Sequence, residues 1–170
     1  MTDPVAALAG LRQPDGLSCG ATTVVAWRLL VDPAYRDRVG QPGSLDDVVL
    51  ATHRRLVARR DEHGRAQVPW PRALGTPPWS LARAVGGRVV RPGWDRLTGP
   101  LAGGSPVAVY VGSRLLPRHV VLAVALREGR VVAHDPARGR AVTFDRDDLE
   151  QHRLPFTGRP RAWWLVVPGA

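Results

Sequence analysis

No lysine, asparagine or isoleucine occurs anywhere in this 170-residue chain, and methionine and cysteine occur once each. A single cysteine closes no internal disulfide and builds no multi-thiolate metal site, so the fold must stand on packing, and a reducing compartment suits it. No window approaches the ~18 uninterrupted apolar residues of a membrane span. The segment from Met1 to Gly10 lacks the basic stretch and apolar core of an export signal. The expectation is a cytoplasmic protein, or one delivered by a specialised secretion system. With lysine absent, all 24 basic residues other than histidine are arginines, set against 15 acidic ones for a net charge of +9. The missing residue types belong to AT-rich codons, while Arg, Ala, Gly and Pro abound, so the positive balance reflects GC-rich coding as much as a basic surface. The arginines form no block and are not interleaved with aromatics as a base-stacking platform would require, which argues against nucleic acid. A peptide or protein substrate is the expected partner, and the charge favours an acidic one.

What is present reads as one globular domain spanning 1–170. Hydrophobic residues make up 44% and charged residues 23%, the balance of a chain that buries a core. Asp3 to Ala9 suggests a short helical turn, and Pro14–Asp15–Gly16 a turn. A helix is predicted from Ser18 or Cys19 through Leu30, ending before Pro33; its β-branched pairs cost propensity, so burial must support it. Leu45 to Arg60 reads as a second helix with Leu45, Val48, Val49, Leu56 and Val57 at core-facing spacing. Gln67 to Pro78 is an irregular Pro- and Trp-rich loop, followed by a short helix over Pro78–Val85 that Gly86–Gly87 closes. The second half changes period. Strands are expected at Arg88–Val90, Pro106–Val111, His119–Leu126, Arg130–His134, Ala141–Phe144 and Ala162–Val167, with a loop or short helix over Trp94–Gly103 and a helical turn over Asp147–His152. Helices first and hairpin-linked strands later give an α+β architecture around an antiparallel sheet.

The chemistry-bearing residues lie at the junctions of these elements. Cys19 sits at the first turn of a helix, where unsatisfied backbone amides and the positive end of the helix dipole favour a thiolate. Gln13, six positions upstream, carries a side-chain amide that with the Cys19 N–H would stabilise an oxyanion. Gly20 removes bulk beside the thiol, which would ease substrate approach. His119 opens an apolar strand, whose end holds an imidazole firmly while leaving it at the sheet edge for proton transfer. Asp135, sixteen positions later, returns through a hairpin and is suited to fixing the imidazole tautomer. The bland alternatives are a packing cysteine, a loop glutamine, a core histidine and an Asp–Pro turn; four chemically complementary positions outweigh them. His53, His63 and His152 are expected at the surface, and His134 should point away from Asp135 by strand alternation. No spacing resembles a zinc site, and Asp145, Asp147 and Asp148 suit a helix start better than a calcium loop, so no metal or other cofactor is expected.

Gln13 with Cys19–Gly20, His119 with its apolar strand, and Asp135–Pro136 together resemble the papain-like cysteine peptidase superfamily, especially the bacteriocin-leader (double-glycine) peptidases and their stand-alone relatives. Gly104–Ser105–Pro106–Val107 and Asp135–Pro136–Ala137–Arg138–Gly139 resemble that family's strand entry and post-aspartate turn, so the likeness runs from Gln13 to Val167. It implies a papain-like fold, with the nucleophile at a helix start in an N-terminal helical part packed on a C-terminal antiparallel sheet. By the same resemblance Cys19 is the nucleophile, His119 the base, Asp135 the orienter and Gln13 the oxyanion donor. Two departures stand out: the stretch between Cys19 and His119 is long, its Trp70–Pro71 and Pro77–Pro78–Trp79 elements suggesting a different substrate rim, and a stand-alone protein with no transporter attached is expected.

The expected function is a thiol-dependent amide hydrolase, foremost a cysteine peptidase. The same triad supports a protein deamidase or acyltransferase acting as an effector or toxin, since these differ only in leaving group and acceptor. A catalytically silent papain-like module that binds proteins through tryptophans and arginines is the alternative outside enzymology.

Overall fold

The computed structural model describes residues 3–39, 45–61, 63–68, 70–71 and 75–169. Part of the predicted 67–78 loop therefore lies outside the described residues. Seven helices and six strands follow one another as α1 (Pro4–Ala7), α2 (Cys19–Val31), α3 (Pro33–Val39), α4 (Leu45–Leu56), α5 (Pro78–Ala84), β1 (Gly87–Val90), α6 (Trp94–Ala102), β2 (Val107–Gly112), β3 (Pro117–Arg127), β4 (Arg130–Asp135), β5 (Arg140–Phe144), α7 (Arg146–Glu150) and β6 (Arg161–Pro168) among the described residues.

The strands form one sheet in the order β1-β6-β2-β3-β4-β5, every neighbouring pair antiparallel. The last strand thus inserts between β1 and β2 rather than closing an edge. Strand alternation splits the apolar side chains into two cores. Ala108, Tyr110, Val120, Leu122 and Val166 face α2 and the other N-terminal helices. Val107, Val109, Val121, Ala123 and Leu165 face Leu97 and Leu101 of α6 and Leu149 of α7. Helices cover both faces, which is why β2 and the centre of β3 read as unbroken apolar runs instead of alternating ones.

The helix carrying Cys19 is the pivot of the first core. Residues Cys19 to Trp27 are all buried, so packing and not propensity holds a stretch with two β-branched pairs in helical form. Thr22 Oγ1 donates to the Ser18 carbonyl at 3.0 Å, which keeps its hydroxyl satisfied in that dry setting.

Several expectations are corrected. The second helix ends at Leu56, not Arg60; Arg60 instead bridges Ala66 across a turn held by Asp61, whose Oδ1 accepts from the His63 and Arg65 amides. Leu45, placed on the core face, is 39% exposed. A third helix over Pro33–Val39, unforeseen, is started by the Asp32 carboxylate accepting from the Tyr35 N–H at 3.0 Å. The segment left open between loop and helix is helical over Trp94–Ala102. His53 is half-buried, whereas His63 and His152 are exposed.

Candidate active site

The N-terminal approach to Cys19 is a loop locked by one carboxylate. Asp15 Oδ1 accepts from the Leu17 and Ser18 amides at 2.9 and 2.8 Å, turning the chain sharply into α2. Partial burial pushes the Asp15 carboxyl up, and the two amide bonds outweigh it, leaving the group below its ordinary value. From sequence Pro14–Asp15–Gly16 reads only as a turn; an Asp four residues before the helix start is the available sign.

His119 and Asp135 stand at the same end of the sheet. His119 pairs with Val111 beside a register shift in the β2–β3 ladder, and Asp135 is the last residue of β4. The His119 Nε2 and Asp135 Oδ1 are 2.7 Å apart, with both side chains almost fully buried. The Ala137 N–H donates to the same oxygen at 3.0 Å, and Arg138 lies 3.8 Å from the other. Burial alone pushes the imidazole's pKa down; its hydrogen bonds to Asp135 and to the Cys19 thiol, with the charges on both, outweigh that and leave it raised. Burial pushes the Asp135 carboxyl up, but the His119 bond, its charge, the Ala137 amide and Arg138 hold it below the ordinary range. With Nε2 committed to Asp135, the remaining ring nitrogen, Nδ1, is the one left for the thiol.

Cys19 is 6% exposed and lines two hollows. The inner one is small and lined by Trp70, Thr76, Tyr110, His119 and Trp164 with Cys19. Tyr110 Oη donates to the Thr76 carbonyl at 3.1 Å, while Thr76 Oγ1 and Trp70 Nε1 are buried without a partner among the described residues. The outer one is an open cleft that shares Pro117 and Arg118 with the inner hollow. Gly75 roofs the thiol: its φ is +72°, and a Cβ there would stand 4.0 Å from the Cys19 Sγ.

Gly20 serves a purpose other than the one expected of it. A Cβ at this position would fall 2.4 Å from Thr76 Cβ, so the missing side chain admits the 75–77 segment against α2 rather than the substrate. Gln13 is held by its own loop. Its N–H donates to the Pro136 carbonyl at 2.9 Å and its Nε2 to the Asp15 carbonyl at 2.6 Å, while Oε1 is buried without a partner among the described residues. It lines a surface hollow with Arg12, Asp15 and Ala137 and neither of the two hollows that reach Cys19. The structure therefore brings Cys19, His119 and Asp135 together and leaves the Gln13 amide turned into its own turn.

His134 points away from Asp135, toward the Leu11 carbonyl, and is buried with Nε2 unpartnered among the described residues. Burial lowers its pKa. Of Trp163 and Trp164, neither ring is fully inside: both are half-buried, Trp163 Nε1 donating to the Ser113 carbonyl at 3.0 Å and Trp164 packing edge-on to Tyr110. Among the described residues no three His, Cys, Asp or Glu side chains are grouped to hold a metal ion, and no helix is long and apolar enough to cross a membrane.

No family profile and no curated protein matches the chain. Solved structures do. The double-glycine-motif protease of an AMS/PCAT transporter, determined in complex with the leader peptide, is similar with a TM-score of 0.51 and 17% identity over 93% of this chain and 89% of that one. The peptidase domain of Streptococcus ComA, a bifunctional ABC transporter of a quorum-sensing pathway, is similar with a TM-score of 0.52 and 15% identity over 94% and 97%.

Proposed function

We propose that this protein, whose α+β architecture is the papain-like fold of those peptidase domains, is a cysteine peptidase. In this reading Cys19 is the nucleophile, His119 the acid and base, and Asp135 the residue that fixes the imidazole. The observation that carries the proposal is the buried 2.7 Å His119–Asp135 bond beside a hollow that His119 and Cys19 line together. A packing cysteine has no use for a histidine whose tautomer is fixed from behind by a carboxylate.

Thiolate attack on a substrate carbonyl places the developing oxyanion at the start of α2, where the Cys19 N–H is one of the helix's four unpaired amides. Gln13 is the second donor of the proposal: only one of its two amide hydrogens is committed to Asp15. It reaches the oxyanion by turning off the Asp15 carbonyl when substrate enters. The intermediate collapses as His119 gives its proton to the leaving amine. Water, deprotonated by the same imidazole, then hydrolyses the thioester and restores the thiol.

Gly75 puts no side chain beside the Sγ. Cleavage after paired glycines, the motif borne by the neighbouring protease's name, is the specificity proposed. The unpartnered Thr76 hydroxyl and Trp70 N–H are suited to hold substrate polar groups in the inner hollow. One domain over 1–170 and a reducing, cytoplasmic setting complete the reading, since a free nucleophilic thiol survives there.

A peptide library incubated with the protein and with Cys19→Ala, read by mass spectrometry, tests the function. New chain termini that require Cys19 are expected. Ammonia release with intact chains assigns deamidation instead, and identical spectra for both proteins contradict catalysis.

A further inference from the structure

The open cleft over Cys19 holds positive charge that acyl transfer does not use. Besides Cys19, Leu17 and the Gly75 roof, its walls carry Arg118 and Arg159. The two come from distant segments, the start of β3 and the loop before β6, and meet only through folding.

Some arginines elsewhere face carboxylates, Arg83 with Asp61, Arg127 with Asp3, Arg130 with Asp145 and Arg146 with Asp95, while others such as Arg88, Arg91 and Arg114 have none among the described residues, so it is their place beside Cys19 that sets Arg118 and Arg159 apart. Among the described residues, neither the Arg118 nor the Arg159 guanidinium has a hydrogen bond or an ion pair. The acidic groups closest in the chain to this rim are already committed. Asp15 accepts from the Leu17 and Ser18 amides, and Asp135 is buried against His119. Two unneutralised forks therefore face a cleft whose floor is the nucleophile, and Arg159 is half-buried, which strengthens its pull on an anion.

We propose that Arg118 and Arg159 form a carboxylate subsite that takes an acidic side chain of the peptide substrate beside the scissile bond. The inference rests on the reading of Cys19 as nucleophile and names the class of peptide that reaches it. Guanidinium forks bind carboxylates bidentately, so the subsite orients the chain as well as attracting it. It gives the +9 balance of the chain a specific use at this cleft.

Alkylation rates provide a test that needs no known substrate. The ratio of Cys19 labelling by anionic iodoacetate to labelling by neutral iodoacetamide is measured against the same ratio for N-acetylcysteine amide. At about 20 mM salt the protein's ratio is expected to exceed the reference by about fivefold or more, and to collapse toward it at about 0.5 M. Arg118→Gln with Arg159→Gln should remove most of the excess, whereas the His119 charge, common to both proteins, cancels in the comparison. Arg159→Glu alone should drive the ratio below that of the unsubstituted protein.

An excess ratio that ignores both arginines, or no excess at all, overturns the subsite while His119-dependent iodoacetamide labelling keeps the nucleophile reading intact. Labelling that ignores His119 overturns the nucleophile and the subsite with it. Protection experiments assign the source of the carboxylate. An N-acetylated, C-amidated glycine peptide carrying one Glu should slow iodoacetamide labelling more than its Gln twin. Protection only by a glycine peptide with a free C-terminal carboxylate contradicts the side-chain assignment.

Discussion

A lone thiol becomes a reagent through its neighbours, and here each neighbour has a measurable signature. Asp135→Asn keeps the shape of the pair but removes the charge that favours imidazolium, so peptide-bond cleavage is expected to fall by about 10²–10⁴, the range associated with losing an orienting carboxylate. Steady-state kcat/KM on the first substrate found checks this, with near-normal activity contradicting the role. Cys19, His119 and Asp135 were legible because helix starts and strand ends are where backbones hold side chains rigidly at an edge, and their residue types name their chemistry. The Gln13 orientation was not legible, since it depends on a carbonyl two residues away that only the closed turn presents. Nor was the meaning of Gly20, which is set by Thr76, 56 positions along the chain. Gly20→Ala is therefore expected to destabilise by about 1–3 kcal/mol as an overpacking change. Thermal unfolding measures it, and Thr76→Gly added to Gly20→Ala should recover part of the loss by removing the clashing Cβ.

At the scale of elements, one buried glutamine ties two of them together. Gln67 Nε2 donates to the Arg55 and Ala58 carbonyls at the end of α4 at 3.2 and 3.0 Å, and its Oε1 accepts from Ser80 of α5 at 2.5 Å. It satisfies the orphaned carbonyls of a helix C-terminus that has no glycine cap. Gln67→Ala should cost about 1–3 kcal/mol by leaving buried polar groups unpaired, lowering the melting temperature by about 2–4 °C per kcal/mol. An unchanged melting temperature contradicts that role. The sequence placed Gln67 at a loop start and gave no hint of burial, because its partners lie on two other segments. The strands were more legible: apolar β-branched runs between turn residues gave all six, to within two residues at each end. Their order was hidden, since insertion of the C-terminal strand between β1 and β2 is decided by which edge remains open once the hairpins have formed.

The molecule as a whole carries two buried histidines whose titrations oppose each other. The His119 pKa is raised in the folded state, so its contribution is full below its ordinary value of 6.5 and is lost as pH rises through the higher folded value. His134 is lowered, so its contribution is present above 6.5 and is lost as pH falls through the folded value. Asp135, also lowered, adds its own loss only in acid, as pH falls below 3.8 through its folded value. Urea unfolding across pH 5–8 should show His134→Gln less acid-sensitive than the parent below about 6.5, and His119→Ala losing most stability on the acid side, where the charged pair counts. Parallel curves for all three proteins contradict these assignments. The separation of the sheet into two covered faces keeps both imidazoles buried, and in the proposed function that burial couples Cys19, His119 and Asp135.

The most direct test of that coupling is the rate of Cys19 alkylation by iodoacetamide as a function of pH, in the protein and in His119→Ala. The account predicts labelling at about pH 6 that falls by about tenfold or more once the imidazole is gone. Labelling that is the same with and without His119 at every pH would contradict it.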